Sequence, residues 1–117
     1  MASLGVVGLG LIGGTLARRL VNNGEAPLVF DLKSEAVESA AADGAIATHS
    51  SRELAGQCDT VLVCVQTDDE CVAAISGENG VLEGARPSTC VAVLSTVMPA
   101  TILSLAAQDS DRGVQLV

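Results

Sequence analysis

The chain has 117 residues and a net charge of −8, and its six basic residues are scattered along the sequence. This length suits one domain, residues 1–117, with a core of Val, Leu, Ile and Ala because aromatic residues are almost absent. The charge excludes a nucleic-acid partner, which would need clustered Lys and Arg, and no apolar run approaches the ~20 residues that cross a bilayer.

A glycine-rich turn follows the first predicted strand, Leu4–Val7. The residues of the turn, which have the G-x-G-x-x-G spacing, are Gly8, Leu9, Gly10, Leu11, Ile12 and Gly13. In a dinucleotide-binding turn Gly8 ends the strand sharply, Gly10 lets the pyrophosphate approach the backbone, and Gly13 lets the next helix pack on the sheet. That helix ends near Asn22 and points its free N–H groups at the phosphates. The alternative is a glycine-rich turn in an α/β domain that binds nothing.

The second predicted strand ends at a carboxylate. The apolar run Leu28–Phe30 is followed by Asp31, which lies 18 residues after Gly13. An acid at this position binds the adenosine ribose in dinucleotide-binding folds. It favours NAD over NADP because it repels the 2′-phosphate, and the next residue, Leu32, offers no positive charge.

The middle of the chain predicts supporting elements. Residues 34–42 predict a helix that Gly44 stops, and residues 45–48 predict a short strand. Ser50 and Glu53 have the spacing of a capping box, which predicts a short helix ending near residue 57.

The plainest strand is predicted over residues 60–65, whose apolar run lacks polar alternation, as in a strand covered on both faces. A helix to Ile75 follows. Asp68 and Asp69 suit its N-terminus, and we interpret them as capping residues and not as catalytic ones.

The last part of the chain predicts one more buried strand, over residues 89–94, after an irregular segment over residues 81–87. Ser95 and Thr96 follow this strand, at the edge where open parallel sheets bind ligands. Pro99 suits the first turn of a helix through Ala106, and a final strand is predicted over residues 114–117.

The cysteines predict packing and not metal binding. Cys58, Cys64, Cys71 and Cys90 contain no C-x-x-C pair, and His49 is the only histidine, so we expect no zinc site. Reduced thiols fit a cytoplasmic protein. The first strand begins by about residue 4, which leaves no room for a signal peptide.

Strands and helices alternate along the whole chain, which is typical of α/β proteins. We predict a Rossmann-type, doubly wound fold with a mostly parallel six-stranded sheet and helices on both faces. Such a fold binds its ligand where the carboxyl ends of the strands meet.

Three stretches of the sequence resemble the β-hydroxyacid dehydrogenases, the family of 3-hydroxyisobutyrate dehydrogenase, tartronate semialdehyde reductase and, more distantly, 6-phosphogluconate dehydrogenase. They are similar to the family's opening signature, its G-x-x-G loop, and its S-S-T turn with the helix after it. The matching residues are Gly8–Gly13, Ala17, Leu20, Ser76–Leu82, Leu94–Thr96, Pro99 and Thr101. The resemblance covers essentially the whole chain.

The resemblance implies that the chain binds NAD. It places Gly10, Leu11 and Ile12 at the pyrophosphate. Asp31 would bind the adenosine ribose, with Leu32 beside it.

The resemblance also implies a nicotinamide end of the site. Val65 and Gln66 would line the nicotinamide side, and Thr96 would lie near the nicotinamide ribose. Two residues depart from the family. Gln66 stands where many members have proline, and Glu70 stands where several have an asparagine that contacts the cofactor.

In the family, a glycine-rich substrate loop and a helical second domain with the catalytic lysine come next. We expect that domain to be absent from this chain, and Lys33, the only lysine, follows the ribose acid and cannot take the catalytic role. No catalytic residue is therefore assigned. A small hydroxyacid would bind only together with the second domain, and the apolar surface left without it is expected to promote self-association.

Three functions remain open. The first is the NAD(H)-binding domain of an NAD-dependent, 3-hydroxyisobutyrate dehydrogenase-like oxidoreductase, inactive when alone. The second is a stand-alone dinucleotide-binding sensor or subunit, and the third is the first domain of an imine reductase-like enzyme. All three share the cofactor site, and the gene sequence downstream of Val117 would distinguish them.

Overall fold

The structure is a computed structural model that describes residues 3–117. Its strands are β1 (Leu4–Val7), β2 (Leu28–Phe30), β3 (Ile46–Ala47), β4 (Thr60–Val63), β5 (Cys90–Val93) and β6 (Gln115–Leu116). Its helices are α1 (Leu11–Asn22), α2 (Ser34–Asp43), α3 (Ser51–Gly56), α4 (Asp68–Ser76), α5 (Val81–Gly84) and α6 (Pro99–Asp111). Over residues 3–117, none of these helices has both the length and the hydropathy needed to cross a membrane.

The strands form one sheet in the order β3-β2-β1-β4-β5-β6, and every neighbouring pair is parallel. The chain builds outward from β1 to β3, then returns to the other side of β1 and continues to β6. Val7 pairs with Phe30 on one side and with Val63 on the other, so the central strands end level with one another. The predicted doubly wound fold is confirmed, and its switch point lies between β1 and β4.

Two apolar clusters cover the two faces of the sheet. Successive residues of a strand point to opposite faces, and Val6 belongs to the cluster under α1 and α2 while Val7 belongs to the other. The second cluster is larger and includes Leu54, Ile75 and Leu105 from α3, α4 and α6, all essentially buried. Each such side chain contributes about 1.5–3 kcal/mol when it is fully buried. The helices therefore hold the sheet from both sides.

Two predicted segments differ from the structure after β4. Residues 81–87 were expected to be irregular, but they begin with the single helical turn α5, in which Val81 and Leu82 are buried in the core. Helix α6 was expected to end at Ala106 and continues to Asp111. It ends only where Gly113 takes a positive φ of 74°, a conformation that suits glycine.

Strands β3 to β6 are shorter than predicted, by residues at their ends. Strand β4 ends at Val63, so Val65 and Gln66 lie in the loop before α4. The N–H of Cys64 still bonds to the Val7 carbonyl at 2.8 Å, but the N–H of Val65 turns to the hydroxyl of Ser95 at 2.8 Å. The strand therefore stops where its backbone bonds a side chain.

The capping box predicted for α3 is half formed. The Ser50 hydroxyl accepts the N–H of Glu53 at 3.0 Å, as expected. The Glu53 carboxylate, however, accepts the N–H of His49 at 2.7 Å and not that of Ser50. A complete capping box, made by Thr67 and Glu70, begins α4 instead.

The four cysteines are free thiols that serve the packing. Cys58 and Cys71 are buried, and burial raises the pKa of the Cys58 thiol to about 11 and the pKa of Cys71 above its usual value. Cys64 and Cys90 are half-buried. In the part of the chain that the structure describes, no cluster of ligands could hold a metal ion.

Candidate functional site

Two glycines, one in the turn after β1 and one in the first turn of α1, are required by the protein's own packing. Gly8 has a φ of +95°, and a Cβ placed there would collide with the carbonyl group of Cys64. A Cβ at Gly13 would collide with the carbonyl oxygen of Gly8. The first glycine therefore lets the turn pass close to the end of β4, and the second lets α1 lie against the turn.

Gly10 is different because the space in front of it is open. The nearest atom to a Cβ built there is the side-chain nitrogen Nε2 of Gln66, at 3.9 Å. Gly10 is the N-cap of α1, and over residues 3–117 no side chain caps this helix. Leu11 and Ile12, in its first turn, are 87% and 64% exposed. An uncapped helix N-terminus beside open space fits a phosphate group, which accepts hydrogen bonds from the free N–H groups.

Asp31 joins this turn to the end of β2. Its Oδ2 accepts the N–H of Leu9 at 2.6 Å, and its Oδ1 accepts the N–H of Lys33 at 2.8 Å. An ionised carboxylate has about four lone-pair sites, so each oxygen can accept one more hydrogen bond from a ribose hydroxyl. Leu32, which stands between Asp31 and Lys33 in the chain, is 89% exposed.

The loops after β4 and β5 form the other end of the edge. Val65 lies next to the glycine turn, and its Cγ1 is 3.3 Å from a Cβ built at Gly8. Gln66 and Thr96 are both exposed on their loops. The Ser95 hydroxyl, which accepts the N–H of Val65, ties the two loops together.

Glu70 is occupied in its own helix. Its Oε1 accepts the N–H of Gln66 at 3.2 Å and the N–H of Thr67 at 3.0 Å. Its own N–H donates to the Thr67 hydroxyl at 3.1 Å. The carboxylate that stands in place of the family's asparagine thus closes the loop that leads into α4.

The prediction that Asp68 caps α4 is wrong. Thr67 caps α4, and Asp68 Oδ2 instead accepts the hydroxyl of Thr101 at 2.7 Å and the N–H of Met98 at 2.9 Å. These two hydrogen bonds hold the pKa of the Asp68 carboxyl below its usual value, and the bond from Thr101 has the larger effect. The T-x-x-E spacing from Thr67 to Glu70 could have shown that α4 has another cap, but no local pattern names the partners of Asp68.

The structure brings the predicted site residues together along the carboxyl edge of β1, β2, β4 and β5. They are Gly8, Leu9, Gly10, Leu11, Ile12, Gly13, Asp31, Leu32, Val65, Gln66 and Thr96. Within this set, Leu9 contributes its backbone, since its side chain packs into the cluster under α1 and α2. Lys33 lies beside Asp31, at the end of the edge away from Thr96.

Comparison with known proteins identifies the family of this chain. The profile of the NAD binding domain of 6-phosphogluconate dehydrogenase matches residues 3–117. An uncharacterized oxidoreductase of Mycobacterium tuberculosis is 32% identical over 114 residues, which are 97% of this chain and 38% of that protein.

Solved structures share the fold over almost the entire chain. The 3-hydroxyisobutyrate dehydrogenase of Salmonella typhimurium superposes with a TM-score of 0.89 at 28% identity, covering 99% of this chain and 40% of that one. A variant of the imine reductase from Myxococcus stipitatus, in complex with NAD+, superposes with a TM-score of 0.87 at 20% identity, covering 99% and 39%. This chain therefore spans about two fifths of the length of the Mycobacterium tuberculosis and Salmonella typhimurium proteins, at 38% and 40%.

Proposed function

We propose that this chain, which belongs to the family of the NAD binding domain of 6-phosphogluconate dehydrogenase, is the NAD(H)-binding part of a 3-hydroxyisobutyrate dehydrogenase-like oxidoreductase. A nicotinamide dinucleotide is the ligand of the family. The observation that carries the proposal is the uncapped N-terminus of α1 behind Gly10, with the carboxylate of Asp31 at the end of the neighbouring strand.

The residues present suit each part of the dinucleotide. The free N–H groups of the first turn of α1 would hold the pyrophosphate, and Gly10 leaves room for it. Asp31 would accept the hydroxyls of the adenosine ribose, and the loops with Val65, Gln66 and Thr96 would border the nicotinamide. When bound, the cofactor supplies hydride transfer, and the protein supplies its position.

The proposal includes a preference for NAD over NADP. The 2′-phosphate of NADP would meet the carboxylate of Asp31 as a like charge, and Leu32 provides no cation to offset it. A lost charge-assisted hydrogen bond together with this repulsion predicts a preference of about tenfold or more.

Calorimetric titration of NAD and NADP into the chain tests the cofactor preference. Asp31→Ser combined with Leu32→Arg is expected to reduce or reverse the preference for NAD. Asp31→Ser alone removes the repulsion of the 2′-phosphate without adding a cation, so the two variants together separate these two effects. Equal affinities of the unmutated chain for the two cofactors would show that Asp31 does not face the ribose.

The chain by itself is proposed to be catalytically inactive. Its only lysine, Lys33, is exposed at the end of β2 and binds Asp31 through its backbone, far along the edge from Thr96. NADH formation from 3-hydroxyisobutyrate, glycerate and related acids is therefore expected to stay at background. Turnover by the pure chain would contradict this.

A reading frame that continues beyond Val117 into a glycine-rich loop and a lysine-bearing helical domain would support the dehydrogenase. A stop codon there would support a stand-alone binding module. The imine reductase shares the fold at 20% identity, and activity of a longer protein on cyclic imines would favour that third function.

Two further parts of the proposal concern the surroundings of the chain. Leu94, Met98, Leu103 and Val117 are large apolar residues between 45% and 76% exposed, and we expect weak self-association through them. Light scattering over a range of concentrations tests this, and a strictly monomeric chain would contradict it.

The free thiols fit the reducing cytoplasm, which cell fractionation can check.

A further inference from the structure

The segment that carries Thr96 is fixed at both of its ends by the strand and helix next to it. At one end, the N–H of Leu94 donates to the Val63 carbonyl at 2.9 Å. At the other end, the N–H of Met98 donates to Asp68 Oδ2 at 2.9 Å. Between these points, Thr96 is exposed at the carboxyl edge of the sheet. Within the segment, the Ser95 hydroxyl accepts the N–H of Val65 at 2.8 Å and Val97 packs against the core, and the Asp68 carboxylate holds the far end.

Asp68 lies where two helices begin. It is the first residue of α4, and its Oδ2 also accepts the hydroxyl of Thr101 in the first turn of α6 at 2.7 Å. The N-terminus of each helix carries a partial positive charge. A carboxylate between two such ends offsets their repulsion. At the start of α6, Pro99 has no N–H, and the N–H of Met98 before it donates to Asp68.

On the α4 side, hydrogen bonds hold the loop that carries Asp68. The N–H groups of Gln66 and Thr67 are both held by the Glu70 carboxylate, and the Thr67 hydroxyl holds the N–H of Glu70. Asp68 follows directly in the chain and is therefore presented from a fixed loop. A loop held by its own hydrogen bonds lets one acceptor side chain set the position of the segment opposite to it.

We propose that Asp68 is a positioning residue that fixes the Ser95–Met98 segment where it can receive the nicotinamide half of the bound dinucleotide. This inference rests on the proposed function, since it requires a nicotinamide dinucleotide at the carboxyl edge. It assigns no contact between Asp68 and the cofactor. Loss of Asp68 would leave the segment ordered for only part of the time, and the apparent affinity would fall by that fraction.

The test compares NADH with ADP, which contains the adenosine ribose and the pyrophosphate but lacks the nicotinamide ribose and ring. NADH binding is followed by the fluorescence of its reduced ring and ADP binding by calorimetry, with the unmutated chain and Asp68→Ala. We expect Asp68→Ala to raise the Kd for NADH about fivefold and to leave that for ADP within about twofold. A residue that merely stabilised the fold would change both affinities together.

Asp69→Ala is the matched control because Asp69 is an exposed acid in the same helical turn. It removes the same charge and is expected to change neither affinity. Asp68→Asn keeps an oxygen that can accept the Met98 N–H and is expected to recover part of the NADH affinity. Thr101→Val removes one of the two hydrogen bonds to Asp68 and is expected to weaken NADH binding by a smaller factor, again without weakening the other ligand. This variant replaces Asp68→Ala if that chain does not fold.

The outcomes separate the two proposals. If the unmutated chain binds neither ligand, the proposed function fails and this inference fails with it. If the unmutated chain binds both, and Asp68→Ala and Thr101→Val weaken both equally or neither, only the positioning role is overturned.

Discussion

The two ends of the proposed site are built in different ways. The phosphate end is made of backbone geometry within one turn, together with Asp31, which lies 18 residues after Gly13. The nicotinamide end is made of hydrogen bonds between segments 30 residues apart: the N–H of Val65 donates to the Ser95 hydroxyl, and the N–H of Met98 donates to the Asp68 carboxylate. An end that depends on local geometry leaves a pattern in the sequence, and an end that depends on long-range pairs does not.

The largest expected effect distinguishes two glycines of the phosphate end: Gly13, which the packing requires, and Gly10, which leaves room for the ligand. Gly13→Ala places a Cβ against the backbone of Gly8, which cannot move without shifting β1 or α1, and should lower the free energy of unfolding by about 3 kcal/mol. Urea denaturation followed by circular dichroism measures this. The control is Gly10→Ala, whose Cβ meets only Gln66 at 3.9 Å and should cost about 0.5 kcal/mol or less. Gly10→Ala should instead weaken ADP-ribose binding, and a stable Gly13→Ala chain would contradict the packing role.

The next effect concerns the helix that begins at the nicotinamide end. Asp109 in α6 is fully buried, and over residues 3–117 neither of its carboxylate oxygens has a hydrogen-bond partner. Burial raises the pKa of this carboxyl from 3.8 to about 6. The folded state therefore binds the proton more tightly than the unfolded state. The free energy of unfolding from this group is highest below the unfolded value of 3.8 and falls as the pH rises to about 6.

Asp109→Ala should remove this dependence. Relative to the variant, the unmutated chain should lose on the order of 2 kcal/mol between about pH 4 and pH 7. Urea denaturation of both proteins at each pH gives the difference, in which the titration of the other carboxylates cancels. Parallel pH profiles for the two proteins would show that Asp109 is hydrogen-bonded or hydrated in solution.

A smaller effect distinguishes the two carboxylates of the site. Asp31→Ala should weaken NADH and ADP-ribose alike, by about tenfold, because both contain the adenosine ribose and both need the turn that Asp31 holds through Leu9. This contrasts with Asp68, whose loss should weaken NADH binding and leave the affinity for ADP unchanged. Calorimetry with ADP-ribose is the measurement. An unchanged ADP-ribose affinity would place the adenosine ribose elsewhere.

The smallest effect is expected at Ser95. Ser95→Ala leaves the N–H of Val65 without its partner at 2.8 Å and should cost about 1 kcal/mol of stability, with an NADH affinity lowered about twofold. Ser104→Ala, at an exposed position in α6, is the control and should change neither quantity. Loss of ADP affinity in Ser95→Ala would mean that the two ends of the site are coupled.

The features predicted correctly from the sequence are those that depend on neighbouring residues. The alternation of strands and helices, the stop at Gly44 and the glycine turn each follow from the conformation or hydropathy of a short segment. The position of Asp31 at the end of β2 was predicted in the same way. Where a breaking signal was lacking, as between Ala106 and Gly113, the end of the helix was predicted too early.

Other features were decided only by the tertiary structure. The sequence by itself determined that Asp68 begins a helix, but the sheet order, which sets β5 beside β4, determined that its carboxylate meets Met98 and Thr101. Packing also determined the single turn α5 and the burial of Asp109. The physical reason is that a conformational preference acts within a few residues, whereas the partner of a side chain depends on which segments the folded sheet places next to each other.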